Sequence, residues 1–197
     1  MLPVRHLVTV DEFERMVDAG VFAPDRRLEL IDGEIVDMSP IGSAHQACVN
    51  RLNVVFSPLA VAGRAVVQVQ GAIRASEVSQ PQPDIALVRP RDDFYAGGHP
   101  GPDDLLLVVE VADSSVRFDR WTKLPVYAKA GVAETWVVDL NGGVVDVATD
   151  PSEQGYGRLV QAAPGDSVAP AAFPDLAISV GQLLGQSPLR PGSPSPG

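Results

Sequence analysis

Hydrophobic positions along this chain recur in two periods, and the points where one gives way to the other divide it into elements. Over 9–20 (TVDEFERMVDAG), Phe13, Met16 and Val17 fall on one helical stripe. Thr9 with Glu12 three residues on has the form of a capping box, and Gly20 is a natural stop. RRLELIDGEIVDMSP (26–40) alternates Leu28 and Leu30 against Arg27 and Glu29, turns at Asp32-Gly33 and resumes at Ile35, which predicts a hairpin. The strongest helix is expected over 43–62, capped by Ser43, with Cys48, Leu52, Val55, Phe56 and Leu59 at helical spacing and Pro58 set to bend it or end it early.

Beyond Gly63-Arg64 the period shortens. AVVQVQGAIRA and QPDIALV read as strands, and 89–104 as a loop. LLLVVEVA (105–112) is a continuous apolar run, the pattern of a central strand covered on both faces. A helix is expected over roughly 119–130, closed by Gly131, and ETWVVDL and VVDVA form a hairpin across Asn141-Gly142-Gly143. Residues 155–184 predict one or two weak strands and a short terminal helix. The Pro/Gly/Ser-rich end, 186–197, is expected to be disordered. Helices alternating with strands indicate an α/β fold, one domain over 1–185 built on a mixed β-sheet flanked by α-helices.

Composition narrows the classes. The chain has 197 residues, 45% hydrophobic and 20% charged, which is globular rather than disordered. One cysteine, Cys48, excludes a disulfide scaffold. With no N-terminal apolar segment and no run long enough for a membrane span, a cytoplasmic location is expected. The net charge of −10 disfavours a simple electrostatic nucleic-acid binder. Only Lys123 and Lys129 among the 15 bases are lysines.

Some polar residues resist a structural explanation. Glu110 stands inside the apolar run, where a buried carboxylate costs several kcal/mol unless compensated. It either pairs with an arginine or serves as a metal ligand or general base at a strand end. Period two puts it on the face of Leu106, Val108 and Ala112. Asp84 follows Pro81-Gln82-Pro83 and opens the strand IALV; alone it reads as turn chemistry. With Glu110 on an adjacent strand it completes a pair of oxygen donors suited to Mg²⁺. Lys123 lies 13 residues past Glu110, on one helical face with Asp119 and Tyr127; the default for such a lysine is a solvated surface. His45, in the first turn of the strongest helix, points with Val49, Leu52 and Phe56 toward the core, as a satisfied semi-buried histidine would. Glu29 defaults to the polar face of its hairpin strand, and Glu34 is equally structural. His6 and His99 carry no pattern.

Taken together, LELIDGEIVDMSPIGSAHQ (28–46), QPDIALV (82–88), LLLVVEVADSS (105–115), DRWTKLPVYAKAGVAETWVVD (119–139) and, more weakly, AAFPDLAISVGQLL (171–184) resemble the Uma-two family of the PD-(D/E)XK nuclease superfamily. The resemblance implies a restriction-endonuclease-like core and a metal-dependent endonuclease hydrolysing DNA. It places the superfamily's Pro-Asp on Pro83-Asp84 and its second acid on Glu110. The superfamily's lysine normally follows that acid by two residues, where this chain has Ala112; the family resemblance moves it to Lys123. By the same analogy Asp84 and Glu110, with Glu29 as a further direct or water-mediated contact, hold Mg²⁺ or Mn²⁺. Lys123 then orients water or stabilises the transition state, and His45 positions water or a phosphate.

Against this stand two other classes: a catalytically silent nuclease-fold interaction module, which the acidity favours, and a metal-dependent hydrolase of a small phosphorylated molecule. For DNA to bind, positive charge must be local. Arg26, Arg27, Arg51, Arg64 and Arg74 are the candidates, and a homodimer would extend them into a groove.

Overall fold

The computed structural model describes residues 4–113 and 115–187; the expected disordered tail lies, from 188 on, outside them. The chain opens with α1 (Val10–Asp18), whose capping box forms as the sequence requires: the Thr9 side chain accepts from the Glu12 amide while Glu12 accepts from the Thr9 amide. Next come β1 (Leu28–Ile31) and β2 (Glu34–Asp37), an antiparallel hairpin turning at Asp32 and Gly33, both at positive φ. That geometry is why Asp-Gly stands there. α2 (Ser43–Val61) is capped by Gly42 rather than by Ser43 and runs through Pro58 to Val61. The carbonyl that Pro58 leaves without a donor belongs to Val54, on the exposed side of the helix.

A six-stranded mixed sheet forms the centre. It runs in the order β3 (Val66–Val69), β4 (Ile85–Val88), β5 (Leu105–Ala112), β6 (Glu134–Asp139), β7 (Val144–Ser152), β8 (Gly155–Ala162). Only the β5–β6 pair is parallel. β3 and β4 are shorter than their apolar patterns suggested. β3 ends where Gln70 turns to a φ of 52°, and Pro81 and Pro83 have no N–H with which to extend β4 backward. β8 is longer than expected, an eight-residue strand paired along β7. Pro151 sits where β7 has outrun β6, so its missing donor breaks no inner ladder. β9 (Ser167–Val168), β10 (Ile178–Ser179) and α5 (Val180–Leu183) close the chain.

Between β5 and β6 the chain passes over the sheet through α3 (Val116–Phe118), a π-helical turn (Asp119–Lys123) and α4 (Leu124–Lys129). Helical structure thus begins earlier than expected and is widened just before Pro125, where a regular α-turn would need the missing N–H. The two faces of the sheet differ. On one, α2 buries Leu52, Phe56 and Leu59 against Leu87, Leu107, Val109 and Trp136, each large side chain contributing about 1.5–3 kcal/mol. On the other, Ala86 and Val108 pack with Tyr127, and Ala112 and Val137 with Leu124. Val108, Glu110 and Ala112 share that second face as expected, but Leu106 does not. The register slips between Leu87 and Val88, so Leu105 joins this face and Leu106 packs toward α2. Among the described residues no helix is long and apolar enough to cross a membrane.

Candidate active site

Pairing of β4 with β5 sets Ile85 opposite Val109, and Asp84, just before β4, reaches across to the residue after Glu110, accepting from the Val111 amide. Glu110 itself shares the face of Val108 and Ala112. Here that face is the one covered by the helical passage, which brings Lys123 and Tyr127 over it. Asp84, Glu110 and Lys123 all line one cleft of about 490 Å³, with Glu29, His45 and Asp119.

Lys123 is not the solvated lysine its residue type suggests. It is 2% exposed, and its Nζ donates to Glu29 Oε1 at 3.0 Å and Glu110 Oε1 at 3.1 Å. Glu29 likewise leaves its expected polar face. All four residues of β1 are buried, and Glu29 meets the Lys123 ammonium that also pairs with Glu110. Glu29 Oε2 also lies 3.0 Å from Nζ but takes no hydrogen bond from it and is buried without a donor. The Tyr127 hydroxyl donates to Glu110 Oε1, so both of that carboxylate's donors fall on one oxygen. Asp84 is held more fully: Oδ2 accepts from the Val111 amide at 2.8 Å and lies 3.0 Å from His45 Nε2, and Oδ1 accepts from Gln70 Nε2 at 3.2 Å. His45 thus reaches the cleft from α2, with its Nδ1 buried and unpartnered.

The electrostatics follow from burial and crowding. Burial pushes the Glu110 carboxyl well above the usual carboxylate range; Lys123 opposes this, while Asp119, Asp84 and Glu29 add to it. Burial raises Glu29 and Asp119 in the same way, against the pull of Lys123. For Lys123 burial favours the neutral amine, but Glu110, Glu29 and Asp119 outweigh it and hold the ammonium above its ordinary value. The Tyr127 hydroxyl is raised by burial and by Glu110 and Glu29.

Among the described residues, no group of three or more His, Cys, Asp or Glu forms a ready-made metal cage. The two carboxylates on adjacent strands fit a different kind of ion. Mg²⁺ takes hard oxygen donors, usually one or two carboxylates, and fills its remaining positions with water and substrate phosphate. Glu110 Oε2, turned from its hydrogen-bonded partner oxygen, suits that role. Three of the expected basic residues are neutralised, Arg26 by Asp37, Arg64 by Asp175 and Arg74 by Asp11 and Glu77, while Arg51 keeps its charge and donates to the Leu183 carbonyl. Arg27, whose hydrogen-bond partner is the Ser39 carbonyl, lines the cleft itself.

Tyr127 and Gln70 escaped the sequence reading as site residues. The spacing of Asp119, Lys123 and Tyr127 already signalled Tyr127. No local pattern signals Gln70, because its contact with Asp84 depends on a left-handed backbone turn between strands.

The mixed sheet, its flanking helices and the acidic pair at the β4–β5 step define an α/β protein with a restriction-endonuclease-like core. The chain belongs to the Uma2 family, whose model, described as "Putative restriction endonuclease", matches residues 10–181. Among solved structures it is similar to a "putative nuclease belonging to DUF820" from Anabaena variabilis ATCC 29413, at 18% identity and a TM-score of 0.69 over 90% of this chain and 98% of that one. Comparison with curated proteins returns no match.

Proposed function

We propose that this chain is a Mg²⁺-dependent endonuclease, with Mn²⁺ as a substitute, that hydrolyses DNA phosphodiester bonds in the cleft over Asp84 and Glu110. One observation carries the proposal: a fully buried lysine reaches Glu110 in the same cleft that Asp84, bonded to the neighbouring Val111 amide, also lines. A purely structural ion pair has no need of a second, cross-strand carboxylate facing the cleft beside it. Asp84 and Glu110 would hold the ion, with Glu29 close behind, and the ion would lower the pKa of a bound water and offset charge on the phosphate.

The remaining work falls to the chain. Lys123, fixed by Glu29, presents its ammonium to the charge that develops on the phosphoryl oxygens or orients the attacking water. Tyr127 keeps Glu110 Oε1 occupied, leaving the other oxygen directed to the cleft. His45 and Gln70 hold Asp84 in its orientation. Arg27 is placed to contact a phosphate at the mouth, so a net-acidic protein needs little more than this residue and the ion at the point of cleavage.

The test is incubation of supercoiled plasmid and single-stranded DNA with Mg²⁺, Mn²⁺ or EDTA. Metal-dependent cleavage should fall by about 10³-fold or more in Asp84→Ala and Glu110→Ala. Absence of cleavage on every substrate, together with unchanged metal binding in both variants, would overturn it.

A further inference from the structure

A second and larger cavity, of about 940 Å³, lies on the other side of Asp84's support. Gln82 lines both cavities, and Gln70 lines the second while its amide holds Asp84 Oδ1. The partition between them is therefore a pair of glutamines. A third, Gln80, completes the set, and Phe13 and Phe22, tilted against each other at 6.1 Å, supply an aromatic wall.

Each glutamine is oriented by chemistry. Gln70 donates its NH₂ to Asp84, Gln80 to Glu14 at 2.6 Å, and Gln82 to the Leu28 carbonyl at 3.2 Å. A carboxylate or carbonyl can only accept, so the NH₂ end must face it in every case. Each side-chain carbonyl oxygen is then left without a protein donor among the described residues, and none of the three is closed off from solvent. The cavity is thus lined by residues carrying three amide acceptors. Its charged lining disfavours anions: Glu14 and Asp18 are acidic, and Arg26 is already paired with Asp37.

We infer that this cavity binds a nucleobase, with its phosphate left outside, and that it prefers bases bearing an exocyclic amino group. Adenine N6, cytosine N4 and guanine N2 are donors matched to amide oxygens, whereas thymine has no such group. The phenylalanines provide an apolar surface for the ring. A neutral base enters an acidic cavity freely, where a phosphate would be repelled. The inference deepens the nuclease proposal, on which its biological meaning rests: a base beside the scissile phosphate would have to leave its stack, so single-stranded or locally unpaired DNA is the favoured substrate.

The test uses nucleosides, which carry no phosphate and need no metal. 2′-Deoxyadenosine and its analogue lacking the 6-amino group are titrated into ¹⁵N-labelled protein. Deoxyadenosine should bind at least about tenfold more tightly, with shifts centred on the side-chain amides of Gln70, Gln80 and Gln82. The difference should vanish in Gln80→Met. It should vanish also in Val17→Trp, which fills the cavity from a half-exposed position on α1. Equal affinity for the two nucleosides, no binding, shifts elsewhere, or selectivity surviving in both variants would overturn the inference. Selective binding by a protein that cleaves nothing, and whose metal binding is unchanged in Asp84→Ala and Glu110→Ala, would remove the nuclease proposal alone. Cleavage without selective binding would remove the base pocket alone.

Discussion

Two cationic side chains three residues apart on the same π-helical turn each sit between two carboxylates, yet the clusters they form have different characters. Arg120 donates to Asp146 through Nε at 2.6 Å and also reaches Asp139 at 3.1 Å. Gln161 supplies the other Asp146 oxygen at 2.9 Å, and the Gly142 amide caps Asp139 at 2.7 Å. Arg120 itself remains 29% exposed. Around Lys123 the cation is buried, one Glu29 oxygen meets it as an ion pair without a hydrogen bond, and the Glu110 donors crowd onto one oxygen. The first cluster ties α3 and the π-turn to β6 and β7 with its acceptors supplied. The second leaves acceptors at the floor of a cleft. A cation between two acids is therefore not itself a sign of chemistry; unspent oxygen valence next to open space is.

Removing each cation in turn would sharpen the contrast. Lys123→Met leaves Glu29 and Glu110 buried without a counter-ion and should cost about 3–5 kcal/mol of stability in denaturant titration. Metal-dependent cleavage should fall by about 10²–10³-fold in material that remains folded. Arg120→Met should cost less, about 2–3 kcal/mol, because the buried Asp146 and Asp139 keep Gln161 and the Gly142 amide as donors. Its cleavage rate at a temperature well below unfolding should stay within about twofold of the parent. A large catalytic loss in that variant would erase the distinction between the clusters.

Tyr127→Phe deletes one hydrogen bond to a carboxylate, about 1.5 kcal/mol, and should lower cleavage less than the lysine variant does. A graded effect is expected in pH dependence. Glu29 and Glu110 hold their protons more tightly in the folded chain than at the ordinary value of 4.5, so unfolding releases protons above that pH. Stability should fall as pH rises from 4.5 through their raised folded values, by at most about 1.4 kcal/mol per pH unit per proton. Lys123 contributes in a separate window: its share is complete below its ordinary value of 10.5 and is lost only as pH climbs through the raised folded value. Thermal unfolding followed across pH should show the lower slope flattened in Glu110→Gln and retained in Arg120→Met.

Much of this was legible in the chain. The capping box at Thr9 and Glu12, the Asp32-Gly33 turn, the apolar run over 105–112 and the hairpin of ETWVVDL with VVDVA all depend on near neighbours. Element boundaries were less so. Ser43 lost the cap to Gly42, and Leu106 left the face of Glu110 because a register slip, invisible to strict alternation, intervenes at Leu87 and Val88. Asp84 and Glu110 were legible as a pair because carboxylates in apolar or proline-bounded strand contexts are costly enough to need a reason.

What the sequence determined by itself, then, was the succession of helices and strands and the suspicion attached to Asp84 and Glu110, while Lys123 was singled out only by the family resemblance. Periodicity, turn residues and desolvation cost are all properties of short stretches. Only the tertiary structure decided that Glu29 turns inward, that Lys123 is buried between it and Glu110, and that Gln70 supports Asp84. Those contacts span separations of 94, 13 and 14 residues. They exist because the hairpin and the helical passage close over one end of the sheet, a matter of packing that no local pattern encodes.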